Sequence, residues 1–131
     1  MAEPGSASVV SVLIPLPIFY NADAQGVRRP VEDEKFIVSA DEIARELEAG
    51  GILRVFRDGN PRGFWWDKGI VDRDVLALLE VDLVDSPEMR QWFKSYAREV
   101  LLERFDQKAI YIKFVGPVET LLVTREDVTL E

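Results

Sequence analysis

The chain predicts an α+β fold, a mostly antiparallel sheet with both helices on one of its faces. Three observations predict it. Residues Ser86 to Phe114 (SPEMRQWFKSYAREVLLERFDQKAIYIKF) spell out an amphipathic helix, a short break and a strand. Residues Ile70 to Val84 alternate as one long strand. The elements follow in the order strand, helix, strand, strand, helix, strand, with a further short strand near the C-terminus.

Each element has a local cause. Val9 to Ile14 is a continuous β-branched run that reads as a central strand. Pro15 and Pro17 lack a donor, so pairing must loosen or become one-sided there. Asn21 to Lys35 reads as a long polar loop around Gly26 and Pro30. Ser39 and Glu42 have the spacing of a capping box, which places the first helix start at Ser39. Ile43 and Leu47 share a face of that helix, and Gly50-Gly51 supply its left-handed stop. Ile52 to Arg57 predicts a second strand, Asp58 to Gly63 a turn, and Phe64-Trp65-Trp66-Asp67-Lys68-Gly69 leads into the long strand. In that strand Val75, Ala77, Leu79, Val81 and Leu83 share one face; Leu76, Leu78, Glu80 and Asp82 share the other.

Ser86 caps the second helix and Pro87 takes its favoured first position. Met89, Trp92, Phe93, Tyr96, Ala97, Val100, Leu101 and Phe105 recur at steps of three and four, a broad core-facing stripe. Arg90, Lys94, Arg98 and Glu99 fall on the wet side. Lys108 to Val115 predicts the next strand, Gly116-Pro117 a turn, and Glu119 to Thr124 the final strand. This is the split βαβ, or ferredoxin-like, order.

Bulk properties narrow the chemistry. At 131 residues the chain reads as a single α+β domain over residues 1–131, with residues 1–7 a loose terminus. It has no cysteine, which excludes disulfides, thiolate metal sites and cysteine nucleophiles. It has no histidine, which removes the usual general base and the commonest transition-metal ligand. With 24 acidic against 16 basic residues the net charge is −8, so neither nucleic acid nor an anionic membrane is an expected partner. An acidic mimic of nucleic acid would need its carboxylates on one continuous face, yet basic residues are interspersed throughout. The apolar run Val9 to Tyr20 has Glu3 ahead of it, contains two prolines and is too short to span a bilayer. Without an export signal or cysteine, the cytoplasm is the expected compartment.

The densest polar-aromatic cluster runs from Arg54 to Asp74. Read as a ligand site, it uses Trp65 and Trp66 as flat walls, Arg54, Arg57, Arg62 and Arg73 as anion clamps, and one carboxylate of Asp67, Asp72 and Asp74 as a base. Read structurally, it is a hairpin whose tryptophans cap the sheet and whose charges pair across strands. Asp72, Asp74, Glu80 and Asp82 share a strand face but match no calcium-loop spacing, and solvated carboxylates are the simpler reading. No glycine pattern fits a phosphate loop. Tyr96 falls on the core stripe as a buried, hydrogen-bonded ring. Lys113 reads as a side chain snorkelling from the sheet.

Two stretches resemble a known family. Gly63-Phe64-Trp65-Trp66-Asp67-Lys68-Gly69 is similar to a G-x-W element placed before a long strand. Arg104-Phe105-Asp106-Gln107-Lys108-Ala109-Ile110 is similar to an R-F-x-Q element between the last helix and last main strand. Both elements belong to the uncharacterised bacterial family of small α+β proteins known as DUF3574. The resemblance covers Ser39 to Phe114; the helix before the hairpin is shorter here and the Asn21–Lys35 loop is extra. It implies a ferredoxin-like fold and no established activity. As a purely structural residue, Gln107 would bond free backbone groups at the helix-to-strand corner.

Two functions follow. The first is a non-enzymatic binding module without metal or cofactor, a homodimer that takes a small anionic ligand or a protein partner. Leu76 and Leu78, facing away from the helices, are its expected interface. The second is a cofactor-independent enzyme of the dimeric α/β-barrel type, with the tryptophans walling a cleft and Asp67, Asp72 or Arg73 handling protons or charge. A buried carboxyl with a raised pKa would favour the enzyme.

Overall fold

The structure, a computed structural model, describes residues 8–54 and 62–126, with the side chains of Trp65, Asp67 and Asp72 left out. Its elements are β1 (Val9–Pro17), α1 (Asp33–Leu47), β2 (Gly51–Arg54), β3 (Arg62–Asp67), β4 (Ile70–Val84), α2 (Pro87–Tyr96) and β5 (Lys113–Val118). A π-helical segment (Ala97–Leu101) and a last turn, α3 (Leu102–Arg104), continue α2. The sheet is antiparallel, in the order β2-β4-β1-β5, and β3 pairs with the first half of β4. The ferredoxin-like α+β class predicted from the sequence is the one observed.

Alternation builds the core. Val10, Val12, Ile14 and Leu16 of β1 and Ala77, Leu79 and Val81 of β4 are buried on one sheet face. Phe36 and Ile43 of α1 meet Phe93, Leu101 and Phe105 there, and the Phe36 and Phe105 rings lie 5.2 Å apart. β5 pairs with β1 only through Val9 to Leu13, so the Pro15–Pro17 stretch is bonded on its β4 side alone, as its missing donors require.

Several boundaries differ from the sequence expectation. α1 starts at Asp33, not Ser39. Ser39 faces the core, where its hydroxyl donates to the Lys35 carbonyl at 2.7 Å, so the Ser39–Glu42 capping box does not form. Asp33 and Glu34 in the first turn favour the earlier start through the helix dipole. The left-handed stop is Glu48 (φ 51°), not Gly50-Gly51. Gly51 serves close approach instead: a Cβ there would lie 2.2 Å from the Glu80 carbonyl oxygen. β5 begins at Lys113 and contains Gly116-Pro117 rather than turning there, and residues 119–124 form no strand. The predicted strand to Arg57 is described as far as Arg54; Arg57 lies outside the described residues.

Candidate functional site

β3 and the first half of β4 form a two-stranded ribbon. Lys68 and Gly69 join them with φ of 50° and 85°, the left-handed pair that a two-residue hairpin turn needs. The register runs from Arg62↔Val75 to Asp67↔Ile70. β1 ends opposite Leu76, and beyond it the second edge of β4 accepts only an Ile18 N–H at the Val75 carbonyl among the described residues. Phe64↔Arg73 and Trp66↔Val71 lie on one ribbon face. Phe64 is 75% exposed, Trp66 76% and Val71 50%, an apolar strip in water with Arg73 beside it.

Among the described residues, the predicted ligand positions fall at separate places on the sheet. Trp66 and Arg73 share the ribbon face. Trp65, paired with Asp72, and Asp67, paired with Ile70, take the alternate positions of β3. Arg54 pairs with Leu78, on the alternate face and seven residues further along β4 than Val71, a distance of about 23 Å. Its guanidinium stands 3.7 Å from Glu80.

Leu76 and Leu78 face away from the helices, as expected. Leu76 is already 7% exposed within one chain, on the floor of a cleft of about 650 Å³ shared with Pro15, Pro17, Asn21, Asp74 and Tyr111. On this face Asp74 pairs with Arg28 at 2.7 Å, Glu80 with Arg54, and Asp82 accepts from Ser11 at 2.5 Å. These three strand carboxylates are therefore tied to neighbours. Among the described residues no three acidic side chains gather to hold a metal ion.

The R-F-x-Q stretch proves to be a junction between the helices. Arg104 reaches Glu42 of α1 at 2.6 Å and Ser39 at 2.9 Å, and Tyr96 donates to the same Glu42 at 2.7 Å. The Arg104 guanidinium, and secondarily the Tyr96 hydroxyl, hold the Glu42 carboxyl below its ordinary range. Burial, then the Glu42 carboxylate, pushes the Tyr96 hydroxyl up. Phe105 is fully buried, Asp106 takes a left-handed φ of 48°, and Gln107 donates from its backbone to Leu102 and from its side chain to Phe105. Gln107 thus has the backbone-satisfying role expected of it.

A second groove escaped the sequence reading. It runs between the outer flank of α2 and the approach to β5, with a volume of about 540 Å³. Ala97, Leu102, Ile110, Ile112 and Phe114 give it apolar walls, and Arg90, Lys94 and Arg98 line one rim at steps of four. Arg90 is bound to Asp85 at 2.7 and 3.0 Å and lies 4.5 Å over the Phe114 ring. Lys94 and Arg98 are exposed and pair with no carboxylate among the described residues. The i, i+4, i+8 basic row was visible in the sequence; the wall facing it was not, because it is made by Ala109–Phe114.

No protein-family model matches the chain, and no curated protein matches it. Among solved structures it is similar to the divalent cation tolerance protein (Cut A1) from Thermus thermophilus. The TM-score is 0.57 at 16% sequence identity, over 92% of this chain and 91% of that one. At that identity the likeness bears on the backbone alone, and it agrees with the strand pairing in assigning the ferredoxin-like fold.

Proposed function

We propose that this chain is a non-catalytic interaction module whose working unit is a homodimer, with the β3–β4 ribbon as its contact surface. One observation carries the reading: Phe64, Trp66 and Val71 stand half to three-quarters exposed on a ribbon of two strands. An isolated two-stranded ribbon is marginal in water, and a second copy laid on the strip removes that apolar area from it. Arg73 beside the strip gives a protein partner or small ligand with an anionic group a place to bind. The absence of cysteine fits the cytoplasm as its compartment, and no helix among the described residues is long and apolar enough to cross a membrane.

The enzyme reading has less support. A general base at neutral pH needs a carboxyl raised by burial. Glu32, Glu42 and Asp85 are instead held low by hydrogen bonds from Tyr20, Arg104 and Arg90. The divalent cation for which the structural relative is named has no gathered carboxylates to receive it among the described residues, and cation handling is not part of the proposal.

Sedimentation velocity at tens of micromolar tests the reading. Wild type should form dimers or larger species, and Trp66→Asp or Phe64→Asp should sediment as a smaller species, having lost the ribbon contact, while the melt stays cooperative. A monomeric wild type overturns it.

A further inference from the structure

Leu121, Leu122 and Val123 are 87%, 85% and 65% exposed, three consecutive large apolar side chains in water. They follow directly on β5, the last strand of the sheet, whose outer edge pairs with no other strand among the described residues. Beside that edge lies the α2–β5 groove, apolar inside, with the uncommitted cations Lys94 and Arg98 on its rim. An exposed apolar segment thus adjoins an apolar groove that no other described residue fills.

We propose that this groove receives the segment Glu119–Thr124 of a second copy of the chain, reciprocally, and that the segment adds to the β5 edge as an extra strand. The dimensions agree. Arg90 to Leu102 spans about 18 Å of helix at 1.5 Å per residue. Six residues in extended form cover about 20 Å. The pattern agrees as well: alternate side chains of the segment face opposite ways, so Leu121 and Val123 enter the apolar groove together. The charge agrees too. Glu119, with no ion pair among the described residues, comes to the basic Lys94–Arg98 rim of a chain whose net charge is −8. Edge-strand addition supplies the backbone bonds and the groove supplies selectivity. The site goes beyond the ribbon contact, at the other edge of the sheet.

The chain has no cysteine, so single introduced thiols report proximity without background. One full-length preparation carries Ala109→Cys in the groove and another carries Thr120→Cys in the segment. Both also carry Trp66→Asp, which removes the ribbon contact and keeps the two readings separable. Mixed and treated with a short bismaleimide, they should form the mixed covalent dimer at least tenfold faster than a control pair of Glu46→Cys and Thr120→Cys. Adding Lys94→Glu and Arg98→Glu to the groove chain should cut that rate at least tenfold while its melt stays cooperative. Equal rates for both pairs overturn the proposal. So does a double Ala109→Cys/Thr120→Cys chain that links only to itself at nanomolar dilution, because the segment then folds back within one chain.

Discussion

Phe93 and Trp92 are neighbours on α2 with different burial. Phe93 is fully buried, while Trp92 is half-buried and stacks on Tyr96 at 4.7 Å. Phe93→Ala should cost about 3–5 kcal/mol in denaturant melts. Trp92→Ala should cost clearly less, because its outer side never leaves water. The stripe itself was legible, since a 3.6-residue period needs no tertiary information; the depth of each member was not. Glu42 is the counterexample. Its spacing from Ser39 mimics a cap, yet its partners Tyr96 and Arg104 lie more than fifty residues away and leave no local trace. Because folding lowers the Glu42 pKa from 4.5, its contribution is fully present above that pH and is lost as pH falls through the lower folded value. Tyr96 has the opposite sign: its raised pKa gives stability that is present below pH 10 and lost as pH climbs through the higher folded value. Glu42→Gln should flatten the acid limb of stability against pH, and Tyr96→Phe the alkaline limb. An unchanged acid limb in Glu42→Gln would show that other carboxylates set it.

Among the elements, those with complete local signals came out as predicted. β4 spans Ile70–Val84, and the Ser86 hydroxyl accepts from Met89 N–H at 3.0 Å with Pro87 behind it. Ser86→Ala should therefore cost about 1 kcal/mol. Elements whose limits depend on distant partners did not. α1 gains six residues: Asp33 and Glu34 suit its first turn, and Phe36 in that added stretch packs on the Phe105 ring, a contact no window of sequence contains. Residues 119–124 have strand-like composition, but strand formation needs a partner, and no strand among the described residues pairs with them. The ribbon turn is local again. Gly69 at φ 85° admits no Cβ without strain, so Gly69→Ala should lower stability by about 1–2 kcal/mol. A neutral result in thermal melts would place little of the folding free energy in the ribbon.

At the scale of the whole molecule, the two unsatisfied surfaces sit at opposite edges of one sheet, the ribbon beyond β4 and the groove beside β5. Two different twofold contacts on one chain do not close at a dimer; they generate a tetramer or an open chain. The wild type should therefore progress from dimer to larger species as concentration rises. Phe64→Asp should leave only the segment-exchanged dimer, Lys94→Glu with Arg98→Glu only the ribbon dimer, and all three together a monomer. Salt separates the contacts further. Lys94 and Arg98 act at a solvent-exposed rim, where raising ionic strength from about 0.05 to about 0.5 M screens most of their attraction for Glu119. The ribbon strip is apolar and should hold under the same change. Sedimentation across that range should show the Phe64→Asp dimer dissociating and the Lys94→Glu/Arg98→Glu dimer persisting. A Phe64→Asp chain that is monomeric at every salt concentration would leave the ribbon as the single contact, and a Lys94→Glu/Arg98→Glu chain that falls apart in salt would assign the assembly to charge rather than to the exposed aromatic strip.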